Sequence, residues 1–190
     1  MTTQSNGSNG FSPRSAAVAA AIGGLAVGLM ANIGRKAVVQ GMTAAAGEWD
    51  QALQTEHKAT LTIFDKLQAT TETNTAKRKF LLMQLKHALA KHAHQEENVV
   101  YPAMRANGLT DEADELNKEH GYVKQFLFDL TEMEPSDTRW AATVSEFRTQ
   151  IEEHMREEEE TLFPSLREKL GDEGNLHITA AMNKEGFKVA

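Results

Sequence analysis

The feature that most constrains how this chain can fold is a His-x-x-x-Glu pair that occurs twice, His92 with Glu96 and His154 with Glu158. Each pair runs on to an aromatic-proline step, Tyr101-Pro102 and Phe163-Pro164. A further histidine precedes each copy, His57 thirty-five residues before His92 and His120 thirty-four before His154. A spacing of four puts both side chains on one helix face about one turn apart, where they can chelate one ion or bridge two.

Which face they occupy decides what they can do. In the first copy Leu82, Leu85, Leu89, Val99 and Ala103 extend the row through His92 and Glu96 at steps of three and four. In the second, Val144, Phe147, Ile151 and Leu162 do so around His154 and Glu158. Leu53, Leu61 and Phe64 share the face of His57, and Ala113, Leu116, Val123, Leu127 and Leu130 that of His120. All six polar residues are therefore predicted to point into a core. Burying two carboxylates and four imidazoles there without a partner is prohibitive, and a cation removes the objection. The set exceeds what one tetrahedral zinc takes and suits two octahedral-preferring ions such as Fe, each Glu bridging, with Mn or Zn as alternatives.

Spacing excludes two other metal sites. Ferritin-like bundles use Glu-x-x-His, and no histidine here has a Glu three residues before it. The His-Glu-x-x-His of zincins is also missing. Of the other histidines, His87 and His94 share a face with Lys91 and Asn98 that reads as solvated, His94 having a secondary role at the site edge as its alternative. His177 falls in the C-terminal tail. Glu56, Glu97, Glu119 and Glu159, each beside a seam residue, read as solvated or as supports of the ligands rather than as ligands. The remainder of the run Glu157 to Glu160 is a charged outer face around Glu158.

Residues 48 to about 170 resemble the hemerythrin-like, HHE-type cation-binding domain, in which helices supply His, then His-x-x-x-Glu, then His, then His-x-x-x-Glu or Asp. The resemblance includes the second Glu of each motif and the Tyr-Pro or Phe-Pro that follows. It implies His57, His92, Glu96, His120, His154 and Glu158 as ligands of a non-haem di-iron centre. It further implies oxygen binding, oxygen or redox sensing, iron handling, or peroxide and nitric oxide chemistry. Oxygen-carrying hemerythrins have a second histidine one turn after the third-helix ligand, whereas this chain has Lys124 there. An ammonium cannot ligate, so one metal is expected to keep an open or water-filled position, with Lys124 either facing a bound ligand or reaching out to solvent.

Periodicity places helices over 44–69, 75–105, 110–132 and 137–170, with Thr71 to Thr75, Asn107-Gly108 and Glu134 to Asp137 as connections. Short connections predict an all-α, up-down-up-down antiparallel four-helix bundle built from two His…His-x-x-x-Glu helix pairs, with an extra N-terminal apolar helix. The domain reading is 1–14 disordered, 15–46 an Ala/Gly-rich apolar helix, 47–170 the metal-binding bundle and 171–190 a tail. Pro102 and Pro164 are expected to kink helices 2 and 4 just past the ligands.

A net charge of −7 and a pI near 5.5 argue against nucleic acid, which needs a basic footprint. With no cysteine, neither disulfide nor thiolate enters the chemistry, which leaves the compartment open; imidazole and carboxylate ligands tolerate a reducing cytoplasm, the expected setting. Residues 15–34 carry no charge and are long enough to span a bilayer, but most are Ala or Gly. Ala20, Gly24 and Gly28 form a small-residue stripe suited to close helix packing. Self-association ranks first for this segment, membrane association second and a secretory signal last.

The function expected from the sequence is a non-haem di-iron protein that binds or senses oxygen or a related small ligand. The alternatives are an enzyme acting on peroxide or nitric oxide, and iron binding or buffering.

Overall fold

The first helix follows from one row of side chains: Trp49, Leu53, His57, Thr60, Phe64 and Leu67 are all buried on α1 (Trp49–Gln68). The structure, a computed structural model, describes residues 47–189. The disordered stretch expected over 1–14 and the apolar helix expected over 15–46 lie outside the described residues. The periodicity predicts helix 1 from residue 44; residues 44–46 lie outside the described residues, and among those described α1 starts at Trp49. Gly47 takes a φ of 101°, which favours glycine, and Glu48 is extended, so neither is helical.

Next comes α2 (Thr75–Gln95), which passes through a π-turn (Glu96–Val100) into α3 (Tyr101–Ala106). After α4 (Thr110–Glu132), α5 (Trp140–Glu157) passes through a second π-turn (Glu158–Leu162) into α6 (Phe163–Val189). Asp137 accepts from the Arg139 backbone N–H at 2.8 Å, closing a turn that delays α5 to Trp140. The two π-turns stand where the prolines were expected to produce kinks. Pro102 and Pro164 have no N–H for the usual bond four residues back, and the ladder opens by one residue just before them. Tyr101 N–H donates to the carbonyl of Glu96, five residues back, and Phe163 N–H does so to Glu158.

The helices form the up-down-up-down bundle: α1 lies against α2 and α5, and α4 against α5 and the α2–α3 rod. Two hydrophobic clusters fill its ends. Trp49, Leu53, Tyr101, Met104, Leu116 and Phe163 lie in one, and Phe64, Leu85, Leu89, Trp140, Phe147 and Ile151 in the other. The six seam polar residues occupy the layer between them.

Residues 172–189, within the stretch expected as a tail, are helical to Val189 and pack on the bundle. Gly171, at φ 60° and ψ −177°, bends the chain in a backbone region open essentially to glycine alone. Beyond the bend Ile178 and Met182 are buried against the first cluster. Asn175 secures the bend: its Nδ2 donates to the carbonyls of Arg167 (3.0 Å) and Gly171 (2.7 Å), and its Oδ1 accepts from Trp49 Nε1 at 2.8 Å. Among the described residues no helix is long and apolar enough to cross a membrane.

Candidate metal centre

All six seam residues are buried, Glu96 and Glu158 completely. Donor atoms of His57, His92, Glu96 and Glu158 lie within 4.8 Å of one another, as do those of Glu96, His120 and His154. Glu96 belongs to both groups, and Glu158 approaches both halves, its Oε2 3.4 Å from His57 Nε2 and its Oε1 3.5 Å from His154 Nε2. The structure therefore brings together every residue the sequence places in the seam.

A second layer of carboxylates orients the imidazoles. His57 Nδ1 lies 2.7 Å from Glu159, His92 Nδ1 3.3 Å from Glu56, His120 Nδ1 3.0 Å from Glu97 and His154 Nδ1 2.7 Å from Glu119. Since a carboxylate only accepts, each Nδ1 carries the hydrogen, and in the neutral ring the Nε2 lone pair is left facing inward as a metal requires. The pairing obeys the duplication. The Glu next to each upstream histidine holds the chelating histidine of its own pair, and the Glu after each chelating carboxylate holds an upstream histidine. Glu56, Glu97, Glu119 and Glu159 thus each contact the outer nitrogen of a seam histidine while remaining partly exposed.

Three of the inner atoms have no hydrogen-bond partner. Glu96 Oε1, Glu158 Oε2 and His154 Nε2 are buried with no aligned hydrogen bond; the only other such side-chain atom among the described residues is Trp140 Nε1. His92 Nε2 does approach Glu96 Oε1 at 3.1 Å, but off the direction a hydrogen bond needs. Nε2 of His57 faces Nε2 of His92 at 3.0 Å, an arrangement that suits two donors to one ion. These residues fit a metal.

The field in the layer favours positive charge. Burial pushes the His92 and His154 imidazoliums down, but Glu96 and Glu56 raise His92 well above the usual imidazole range, and Glu158 and Glu119 lift His154 to about 9. Burial likewise pushes the Glu96 carboxyl up, while His92 and His120 hold it well below the usual carboxylate range. In the metal-free protein the protons on His92 and His154 therefore supply cationic charge beside the Glu96 carboxylate.

The Hemerythrin HHE cation binding domain matches residues 50–166. The chain belongs to the hemerythrin HHE cation-binding family. It is 27% identical over 137 residues to a DNA nickase of Nostoc sp. (strain PCC 7120 / SAG 25.82 / UTEX 2576), covering 72% of this chain and 38% of that protein. It is 29% identical over 100 residues to a hemerythrin-like protein of Schizosaccharomyces pombe (strain 972 / ATCC 24843), covering 50% of this chain and 49% of the other. The chain thus spans less than half the length of either relative. The crystal structure of a hemerythrin HHE cation-binding domain-containing protein from Mycobacterium kansasii is similar, with a TM-score of 0.67 and 22% identity over 75% of this chain and 86% of that one. At that identity it shows the shared fold.

Lys124, where oxygen carriers have a ligand, points outward. It is 64% exposed and donates to Glu97 Oε1 at 2.8 Å, the same oxygen that holds His120 Nδ1. Between α2 and α4 a cleft of about 260 Å³, bordered by Ala93, Glu97, Val123 and Lys124, reaches His120. A cleft of about 270 Å³ between α4 and α5 reaches His154. Larger clefts of about 620 and 640 Å³ touch none of the six residues, so size alone does not mark the site.

Three residues escaped the sequence reading. Lys91, expected on a solvated face, is buried and forms an ion pair with Glu56 while donating to Gln95 Oε1 at 3.1 Å. Its neighbour His94 is half-buried and lies 3.2 Å from Glu185, on the helical segment that was expected to be a tail. His87 and Asn98 on that face stay exposed, whereas Lys91 and His94 meet side chains of other helices, which no pattern within α2 reveals. Tyr101 reaches the centre itself, its hydroxyl 3.0 Å from His120 Nε2. Five residues after Glu96, it would lie about 140° around an α-helix from that carboxylate, and only the π-turn realigns it. The signal available was the contrast of Tyr101 with Phe163 at matched positions.

Proposed function

We propose that this metal-binding hemerythrin-like protein holds two non-haem irons and binds or senses oxygen or a related small ligand at the ion near His120 and His154. The carrying observation is the sharing of Glu96 between a four-residue and a three-residue donor group, the poorer of which is reached by clefts from the surface. Two irons there supply coupled redox change and an exchangeable coordination position. The chain's own part is to fix the donors through Glu56, Glu97, Glu119 and Glu159, and to line the approach to His120 with Ala93, Val123 and Leu127. A lining of this kind favours small uncharged molecules. Lys124 borders the same cleft with its amine turned to Glu97 at 2.8 Å, so its charge is paired at the cleft wall.

Elemental analysis of protein purified without added metal is expected to give two irons per chain; manganese or zinc at that stoichiometry overturns the iron assignment. The reduced iron protein should change its visible spectrum on oxygenation and revert under vacuum. No reversible change in a two-iron protein sinks the oxygen-binding reading, and sustained catalytic loss of peroxide or nitric oxide moves the protein to the enzyme class. The nicking activity named for the Nostoc relative belongs to a protein of which this chain matches 38%, and a net charge of −7 offers DNA no basic footprint.

A further inference from the structure

The duplication that builds the centre is broken at one matched pair: Tyr101 ends the first π-turn and Phe163 the second. Both rings are buried. Phe163 brings no oxygen and stacks on His57, 6.3 Å between centroids and 19° between planes. Tyr101 directs its hydroxyl into the donor cluster, 3.0 Å from His120 Nε2, 3.2 Å from Glu158 Oε1 and 3.5 Å from Glu96 Oε2.

Those separations resemble the spacing between ligands of one ion. Metal bonds of about 2.1 Å put adjacent octahedral donors roughly 3 Å apart. A supporting group behind the ligands would contact their outer atoms, as the four Glu residues do at Nδ1. Tyr101 instead meets the inner Nε2 of His120 and the oxygens of both central carboxylates. The group formed by Glu96, His120 and His154 is also one donor residue poorer than its counterpart, and Lys124 does not supply one.

We propose that Tyr101 is a seventh protein ligand, binding through its phenolate oxygen to the ion held by Glu96, His120 and His154. This deepens the two-iron reading and rests on it. The phenol O–H bond breaks, an oxygen–metal bond forms and one proton leaves to solvent, with no change of oxidation state. The charge of the ion drives the deprotonation. The two ions are then chemically distinct: one carries a phenolate, and the other lies beside the phenyl ring of Phe163.

The test uses the full chain, reconstituted with ferrous iron, oxidised in air and counted for iron. Only two tyrosines are present, and Tyr122 is exposed. Wild type and Tyr122→Phe should show a broad visible phenolate-to-iron absorption with resonance-enhanced ring vibrations, lost in Tyr101→Phe. Phe163 shows that the matched position accepts phenylalanine. Should Tyr101→Phe nevertheless misfold, ring-deuterated tyrosine in Tyr122→Phe must shift those vibrations, because Tyr101 is then their only source. Two bound irons with no phenolate vibrations in wild type, or vibrations that persist in Tyr101→Phe, overturn the ligation alone. Fewer than two irons per chain overturns the two-iron reading and the ligation with it.

Discussion

At the scale of single residues, the centre depends on carboxylates that touch no metal position. Glu119 is the accepting partner of His154 Nδ1 at 2.7 Å, and it is half-buried, so its charge is only partly screened. Glu119→Gln keeps the shape but removes the negative acceptor. It should lower metal affinity by about 10- to 100-fold, measured by competition with a chelator. An affinity equal to wild type would mean that Glu119 does not support the site. The same pair sets a pH dependence in the metal-free protein. His154 binds its proton more tightly folded, at about 9, than unfolded, at the ordinary 6.5. The resulting stabilisation is complete below about 6.5 and is lost as pH rises through about 9. The melting temperature of metal-free protein should therefore fall between pH 7 and 10, and His154→Gln should flatten that fall. If His154 Nε2 holds a metal as proposed, it carries no proton in the metal-loaded protein, and the loss should be absent there.

Among elements, the π-turns and the bend at Gly171 matter most. Each π-turn begins at a central carboxylate and ends at a buried aromatic ring, so one inserted residue sets which side chains share the inner face. The bend at Gly171 turns the last helical segment back along the bundle, where Asn175 bridges to Trp49 and Gln95 Nε2 donates to the Met182 carbonyl at 3.1 Å. Gly171→Ala meets no steric obstacle from neighbouring atoms but must adopt a φ/ψ combination open essentially to glycine alone. It should cost about 1–3 kcal/mol. Hydrogen exchange over residues 172–189 should rise far more than over α1 or α5. Uniform loss of protection throughout the bundle would show that the bend is not a local fastening.

At the scale of the molecule, the bundle end remote from Trp49 is tied by one buried cation. Arg78 donates to Thr70 Oγ1 at 2.9 Å and to the Pro135 carbonyl, and its guanidinium lies 4.6 Å from the centre of the Trp140 ring. It thus joins the turn after α1 to the turn before α5. Arg78→Ala leaves the Pro135 carbonyl without its guanidinium donor and uncovers Trp140, and should cost about 2–4 kcal/mol. Denaturant titration measures the cost. Metal content should stay unchanged, because this residue sits at the end of the bundle capped by Trp140, away from the polar layer. Loss of metal in a folded Arg78→Ala protein would show that bundle-end packing sets the site geometry.

What the sequence determined by itself was the all-α class, the four-helix topology and the six residues of the polar layer. These follow from side-chain period along single helices, and a helix of fixed pitch makes period equivalent to face. His92 rather than His94, and Glu158 rather than Glu157 or Glu160, were legible for that reason. The tertiary structure decided what period cannot carry. Lys91 is buried through groups on α1, and His94 lies against the last helical segment. Lys124 turns outward to Glu97, a residue twenty-seven positions earlier. Tyr101 reaches the centre because a π-turn shifted its face. Each of these outcomes depends on a second element or on a change of helical pitch, and neither is encoded in the spacing of residues along one regular helix.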